Sequence, residues 1–290
     1  MSTTDHWREL SARAGLASHR LIGWIYWDPT AIANYTNLSI PNGLGYYVVS
    51  RSAPLASAGG DAVVAAFYSI RADFIRLCVD FALQHSTTAA ISDARNLAVG
   101  DGLRRIAPDI CDELASMSSE LWVAVDVLPL SGRVLFAAHR SWPRPDDQLL
   151  SAWLAVNCIR EWRGDTHFAI LAAENISGVQ AGLLDNAWRG YPSEWIPRSR
   201  GADDADLAIA YAGLAERGFV SGTEITAAGV AFRQQVEDRT DDMATAAWKL
   251  LGESATLKFV SLIEPISSRF VDSIDATAGP NWMPAARDRK

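Results

Sequence analysis

The sequence predicts a mainly α-helical protein, with an N-terminal helical bundle followed by a second helical half that contains a short β-ribbon. Apolar residues recur at helical spacing over most of the 290 residues, and no series of short alternating strands interrupts them. The segment RSWPRPDD, residues 140–147, breaks this pattern with two prolines. We therefore predict domains at residues 1–145 and 146–275, and a C-terminal tail at 276–290.

The first half is predicted to contain successive helices. The segments GDAVVAAFYSI, RADFIRLCVDFALQH and ISDARNLAVGDGLRRI each carry the apolar spacing of a helix. PDICDELASMSSELWVAVDVL is predicted as one further helix, because Pro108 suits a first helical turn and Pro129 closes the segment.

The second half has a different order of elements. QLLSAWLAVNCIREWRGDTHFAILAAEN predicts one helix or two, ISG a turn, and VQAGLLDNAWRG a helix that ends at Gly190. DADLAIAYAGLAERG predicts a helix that ends at Gly218, and the β-branched residues of FVSGTEITAAG predict a ribbon before a last long helix. This order is typical of a winged helix-turn-helix domain.

Two resemblances accompany this pattern. YAGLAERGFVSGTEITAAGVAFRQQVEDRTD resembles the wing region of MarR-like regulators. Nearly the whole chain is similar to an actinobacterial helix-turn-helix family, in which SRSAPLA, VVAAFYSI, REWRGDTH and EDRTDDMATAAWKLLG have counterparts in the same order. The resemblance implies a mostly α fold with a winged-helix half, and it implies no particular reaction.

The charge distribution disfavours DNA as a partner. The formal net charge is −8, and residues 168–250 hold seven Arg and Lys against twelve Asp and Glu. The candidate recognition helix, DDADLAIAYAGLAERG, begins with three aspartates that would repel a phosphate backbone. Alternatively, the aspartates only complement the helix N-terminus, and Arg198 and Arg200 could contact a DNA backbone. DNA binding therefore stays open.

Other classes of site lack their patterns. The three cysteines are far apart and the five histidines never fall at a metal-ligand spacing, so we expect no disulfide and no metal. Gly43 and Gly45 lack the strand and helix of a nucleotide site, and we expect no cofactor. Without a signal-peptide pattern or an apolar run of membrane-spanning length, we expect a cytoplasmic protein with no membrane partner.

The segment REWRGDTHFAIL, residues 160–171, carries the strongest chemical signal. On a helix, Asn157, Arg160, Gly164 and His167 share a face, with Arg163 beside them. Gly164 indicates a helix break or the close approach of another group. The charges form either a structural ion-pair network between the two halves, or a ligand site with an acid or base.

We expect a small-molecule enzyme of specialised metabolism, in which arginines orient an acidic substrate for an isomerisation, cyclisation or elimination. The alternative is a ligand-responsive MarR-like transcriptional regulator, which the acidic recognition helix disfavours. For Arg51, the tyrosines and His139, roles in helix capping or core packing remain open. The candidate catalytic residues are His167, Asp165 and Glu161, and the candidate substrate-binding residues are Arg160, Arg163, Asn157, Arg51, Tyr47, Tyr68 and His139.

The C-terminal helices suggest self-association. ESATLKFVSLIEPISSRFVDSI has the length and apolar spacing of a dimerisation element. We therefore expect a homodimer in addition to a small-molecule ligand.

Overall fold

Helices form nearly all of the regular structure in the computed structural model, which describes residues 3–41 and 46–289. Gly43 and Gly45 lie outside the described residues. The helices of the first half are α1 (Thr3–Gly23), α2 (Pro29–Asn37), α3 (Tyr46–Ser52), α4 (Gly60–Phe67), α5 (Ala72–His85), α6 (Thr88–Ile106), α7 (Cys111–Ser116), α8 (Ser118–Val127) and α9 (Val134–Arg140), with 3₁₀ turns at Trp24–Trp27, Ala56–Ala58 and Pro108–Ile110.

The second half has the winged helix-turn-helix order that the sequence predicts. After α10, which forms one unbroken helix, come three helices, a ribbon of two antiparallel strands and three further helices. These elements are α10 (Gln148–Ala173), α11 (Gly178–Trp188), α12 (Trp195–Ser199), α13 (Asp204–Glu216), β1 (Val220–Ser221), β2 (Glu224–Ile225), α14 (Ala227–Leu251), α15 (Glu253–Ile263) and α16 (Ser267–Ala278), with 3₁₀ turns at Glu264–Ile266 and Pro284–Ala286.

Most of the expected helix ends are confirmed. Gly190 and Gly218 follow their helices with positive φ angles of 69° and 71°, a conformation that glycine adopts without strain. The helix expected over residues 108–128 is wrong as a single element. It divides at Met117 into α7 and α8, and each of these packs separately against α10.

The buried apolar side chains form two clusters. The bundle cluster contains residues from Leu10 to Trp162 together with residues from Ala247 to Ala286. The winged cluster contains residues from Ile170 to Val236. Helices α10 and α14 contribute to both clusters, so the two clusters divide the chain differently from the expected boundaries at residues 145 and 275. Those boundaries stay a prediction, because packing within one chain does not test independent folding.

Helices α15 and α16 use their apolar faces within the chain. Phe259, Ile263 and Phe270 are fully buried in the bundle cluster, and α1 contacts both helices. The observation that suggested a dimerisation element is therefore explained by the core. The homodimer stays an untested prediction.

The segment expected to be a C-terminal tail packs against the rest of the protein. Met283 and Ala286 are buried in the bundle cluster. The Trp282 ring lies 5.7 Å from the Trp27 ring and 5.3 Å from the Trp195 ring, measured between centroids. The segment therefore contacts both the bundle and the helix-turn-helix.

Candidate functional site

A cavity of about 930 Å³ lies between the bundle cluster and the winged cluster. Side chains of α1, α3, α10, α11, α12 and α14 line it, together with the C-terminal segment. The middle turns of α10 and α14, with the sequences REWRGDTH and EDRTDD, face each other at the cavity. In both helices these turns lie at the boundary between the bundle cluster and the winged cluster. The charges in the middle of α10 therefore occupy the junction of two apolar cores.

The structure divides the ten candidate residues into two groups. The first group lines the cavity and consists of Tyr47, Arg51, Tyr68, Arg160, Arg163 and His167. The second group is buried behind the wall and consists of His139, Asn157, Glu161 and Asp165. Two of the three candidate catalytic residues thus lie in the second group.

The Arg51 guanidinium is committed to an internal carboxylate. Its Nε donates to Glu161 Oε1 at 2.8 Å and its Nη2 donates to Oε2 at 2.6 Å. Its Nη1 donates to the Tyr47 hydroxyl at 2.8 Å, and the guanidinium lies over the Phe67 ring. Arg51 therefore joins α3 to α10 through a bidentate ion pair.

Glu161 is fully buried, and Arg160 Nη2 also donates to its Oε1. Burial alone would raise the pKa of Glu161, but Arg160 and Arg51 outweigh it and hold that pKa well below its ordinary value. A carboxylate paired on both oxygens is not available to exchange a proton with a ligand. The expected place of Glu161 beside a substrate is corrected by this burial.

His139 and Asn157 support the two arginines from behind the wall. Burial lowers the pKa of His139 to about 4, so its ring is neutral at neutral pH. Its Nε2 lies 2.9 Å from the Arg51 carbonyl oxygen and its Nδ1 lies 3.3 Å from Asn157 Nδ2. Asn157 Oδ1 accepts from Arg160 Nη2 at 2.9 Å. Both residues position arginines and do not face the cavity.

Asp165 lies on another face of α10 from His167. It accepts the backbone N–H of Phe136 at 2.9 Å, in the first turn of α9. Burial raises the pKa of Asp165 to about 7. Asp165 and His167, both candidate catalytic residues, therefore do not meet, because Asp165 faces α9 whereas His167 faces α14.

A second ion-pair network, on α10, α11 and α14, forms part of the cavity wall. Arg163 Nη2 lies 2.5 Å from Glu237 Oε1 and 2.7 Å from Asp241 Oδ1. Arg233 lies 2.8 Å from Glu237 Oε2 and 2.9 Å from Asp185 Oδ1. Burial alone would raise the pKa of Glu237, but Arg163 and Arg233 hold it well below its ordinary value. The network is structural and also lines the site.

No residue in the described part of the chain hydrogen-bonds to the Nε2 of His167. Its Nδ1 lies 3.0 Å from Thr240 Oγ1, and the Thr240 hydroxyl donates to the Val236 carbonyl oxygen. Thr240 must therefore accept from Nδ1–H, which leaves Nε2 as an unprotonated acceptor. Burial lowers the pKa of His167 to about 3, so the ring stays neutral at neutral pH. His167 can accept a hydrogen bond from a hydroxyl or amine.

Gly164 neither breaks α10 nor accommodates a closely packed neighbour, so both expectations for it are wrong. A Cβ added at Gly164 would lie 3.6 Å from Arg51 Nη2 and 3.7 Å from Glu161 Oε2, which are ordinary contact distances. Gly164 lines the cavity. Its effect is to leave space at the wall.

Tyr68 closes the cavity on the side of α11. Its hydroxyl donates to the Ile176 carbonyl oxygen, and its ring stacks on Phe168 with centroids 5.2 Å apart. A Cβ at Gly178 would lie 2.4 Å from the Tyr68 carbonyl oxygen, so only glycine allows α11 to begin this close.

Sequence reasoning missed Arg200 and Trp282 as lining residues. Arg200 follows α12, in the turn before α13, and the sequence suggested for it only an alternative role, contact with a DNA backbone. Trp282 lies in the expected tail. No local spacing marks either residue, because both reach the cavity only through the tertiary fold.

The winged helix-turn-helix surface carries few cations. Residues 203–228 contain one cation, Arg217, whose Nη1 donates to the Glu174 carbonyl oxygen at 2.8 Å. The Asp203 and Asp206 side chains form a capping box at the start of α13, so these acids do complement the helix N-terminus. Arg198 pairs with Glu194 and Asp204 instead of remaining free.

The described residues provide neither a metal site nor a membrane-spanning helix. Within residues 3–41 and 46–289, no group of three or more His, Cys, Asp or Glu side chains is arranged to hold a metal ion. In the same part of the chain, no helix has the length and apolar character needed to cross a membrane.

Comparison with known proteins identifies the family. No curated protein and no solved structure matches the chain significantly. The model of a family described as a helix-turn-helix family matches residues 11–277. The match extends over the bundle as well as the winged half, and it includes most of the cavity wall. The chain therefore belongs to this helix-turn-helix family.

Proposed function

We propose that this helix-turn-helix protein binds an organic small molecule in the cavity between its two clusters, and that binding makes it a ligand-responsive regulator. The observation that carries the proposal is the cavity itself. Its volume of about 930 Å³ falls within the range of about 300–1,000 Å³ typical of ligand sites, and aromatic and arginine side chains line it.

The position of the cavity supports a regulatory role. Ligand bound there would contact Tyr47 of the bundle and Trp188 and Trp195 of the winged half at once. A ligand that prefers one arrangement of the two halves would shift the population of that arrangement. Membership of the helix-turn-helix family favours regulation over catalysis. The closer likeness to MarR-like and actinobacterial proteins remains our inference from the motifs.

The charge of the winged half restricts how DNA could be bound. Arg217 is the single cation in residues 203–228, and a DNA interface normally needs several phosphate contacts. We therefore base the proposed regulatory role on the ligand site, and DNA binding requires a direct test. Fluorescence anisotropy can measure binding to the DNA upstream of the protein's own gene. Tight, salt-dependent binding that a ligand changes would support the regulatory role.

An enzyme is the second candidate, and His167 is the observation that favours it. A neutral imidazole with a free Nε2 at a cavity wall can accept a proton from a bound substrate. The low pKa of His167 makes it a weak base. Because Glu161 is locked between two arginines and Asp165 faces α9, His167 would act without either carboxylate. A cofactor-independent reaction, a homodimer and a cytoplasmic location remain predictions.

Filling the cavity tests the ligand site. N-phenyl-1-naphthylamine is an uncharged aromatic probe whose fluorescence rises in apolar sites, and we expect it to bind the protein saturably. Gly164→Leu adds a side chain at the wall without removing a polar contact, and it replaces glycine within a helix. We expect this variant to keep its melting temperature and to bind the probe at least about tenfold more weakly, which corresponds to about 1.4 kcal/mol.

Ala169→Leu is the matched control, because Ala169 is exposed on the same helix and lies outside the cavity wall. It should bind the probe as the unsubstituted protein does. Unchanged affinity in folded Gly164→Leu, or no saturable binding by the unsubstituted protein, would overturn the proposed ligand site.

A further inference from the structure

The cavity arginines differ in whether a partner neutralises them. Arg51 and Arg160 pair with Glu161, and Arg163 and Arg233 pair with carboxylates of α11 and α14. The others are also occupied: Arg189 pairs with Asp185, Arg198 with Glu194, Arg287 with Asp275, and Arg289 donates to Gln234 Oε1. Most of the positive charge in the wall is therefore already balanced.

Arg289 meets only the neutral Gln234 amide, whereas Arg200 meets no hydrogen-bonding or ion-pair partner among the described residues. The half-buried Arg200 side chain lines the cavity. Burial lowers the pKa of Arg200, Asp185 and Tyr47 raise it, and Arg189 and Arg233 lower it. A guanidinium has five N–H donors, and Asp185, the carboxylate that acts on this one, is already paired with Arg189 and Arg233.

The backbone of Arg200 is held in place. Its carbonyl oxygen accepts the N–H of Arg71 at 2.9 Å, and its N–H donates to the Pro197 carbonyl oxygen at 3.1 Å. Arg71 also donates from Nη1 to Asp203 at 3.0 Å. These contacts tie the turn between α12 and α13 to the start of α5, so the Arg200 side chain extends from a fixed base.

The rest of the wall fits an aromatic body. The Trp27, Trp282 and Trp195 rings contact one another in sequence, and the Tyr68 and Phe168 rings stack on another part of the wall. Such side chains bind flat apolar groups. The Nε2 of His167 adds one acceptor that suits a hydroxyl or amine donor.

We propose that Arg200 anchors the anionic group of the ligand, and that the cavity takes an aromatic small molecule bearing one carboxylate or sulfonate. This inference rests on the proposed ligand site and adds to it the chemical class and the anchoring residue. The expected arginines, Arg160 and Arg163, serve the internal network instead. A ligand held by Arg200 also contacts the turn of the helix-turn-helix directly.

A pair of probes with the same ring system tests the class. 8-Anilinonaphthalene-1-sulfonate carries a sulfonate on the framework of N-phenyl-1-naphthylamine, so the two differ by one anionic group. We expect the sulfonate probe to bind the unsubstituted protein more tightly. Arg200→Gln should weaken binding of the sulfonate probe about 10- to 100-fold, which is the usual effect of losing a charged hydrogen bond. It should leave the affinity for the uncharged probe unchanged.

Two further variants complete the test. Arg200→Lys keeps the charge but not the bidentate geometry, so it should weaken the sulfonate probe less than Arg200→Gln does. Arg217→Gln removes a cation outside the cavity and should change neither probe. If both probes bind and Arg200→Gln affects them equally or not at all, the anchoring role is refuted while the ligand site stands. If neither probe binds the unsubstituted protein, the ligand site itself fails.

Discussion

Arg163 holds the middle of α10 to the middle of α14, and replacing it should measurably destabilise the protein. We consider Arg163→Met, because methionine keeps much of the apolar stem that packs against Gly15 of α1. A Cβ at Gly15 would lie 3.1 Å from Arg163 Nε and 3.3 Å from its Cδ, so the stem is closely packed. The substitution thus removes the charge and leaves most of the packing.

The expected cost follows from the partners that remain. Glu237 keeps the ion pair with Arg233 at 2.8 Å, whereas Asp241 loses its ion pair with Arg163 and has no other among residues 3–41 and 46–289. Its side chain is 10% exposed, so the stranded carboxylate stays largely desolvated. Breaking a buried pair by removing one partner costs about 3–5 kcal/mol. Because one of the two carboxylates stays paired, we expect about 3 kcal/mol, or a fall of about 5 °C in melting temperature.

A double-mutant cycle with Asp241→Asn isolates the interaction. Thermal and urea unfolding of both single variants and the double variant, followed by circular dichroism, give the coupling free energy. We expect a coupling of about 1–3 kcal/mol, because the two side chains are in direct contact. If Arg163→Met costs the same in both backgrounds, Asp241 is not stranded by the loss of Arg163 and the reasoning fails.

Two other substitutions test the surroundings of the cavity. Asp165→Asn keeps an acceptor for the Phe136 N–H but removes the titration. Because the folded pKa of Asp165 is raised to about 7, the unsubstituted protein should lose stability as pH rises from about 4 to about 7, with at most about 4 kcal/mol involved. Urea unfolding at several pH values should show that Asp165→Asn lacks this loss of stability. If the stabilities of the variant and of the unsubstituted protein change with pH in parallel, the prediction fails. Trp282→Ala should weaken binding of both naphthyl probes and lower stability by about 1–2 kcal/mol, since two aromatic contacts are lost. Unchanged probe affinity in a folded Trp282→Ala protein would exclude the C-terminal segment from the site.

Much of the fold could be predicted from sequence because its signals are local. The helix ends at Gly190 and Gly218 depend on backbone angles that glycine favours, and the winged order follows from turns and β-branched residues nearby in the sequence. Gly164 is an exception. Gly164 signalled a break, but tertiary packing on α14 and α1 keeps α10 continuous at a cost of about 1 kcal/mol in helix propensity.

The site was less predictable because its chemistry depends on distant partners. Helical spacing placed Asn157, Arg160, Gly164 and His167 on one face of α10. Arg160, Gly164 and His167 line the cavity, whereas Asn157 is buried behind its wall. Spacing did not reveal that Glu161 lies between Arg51 and Arg160, or that the carboxylates paired with Arg163 lie more than 70 residues further along. No feature of the local sequence marked Arg200 as a ligand-binding residue, because an arginine can be identified as unpaired only once the partners of all the others are known.

Charged side chains of the two halves of the chain pair with each other beside the cavity. The internal network fixes Arg51, Arg160 and Arg163 against carboxylates, so a ligand anion would have to displace a bidentate or buried pair to use them. Arg200 needs no such displacement, and it belongs to the turn between α12 and α13. A bound anion would therefore act on the helix-turn-helix through Arg200, whose guanidinium no described residue binds. This arrangement places any response to ligand in the turn before α13, whichever partner that helix contacts.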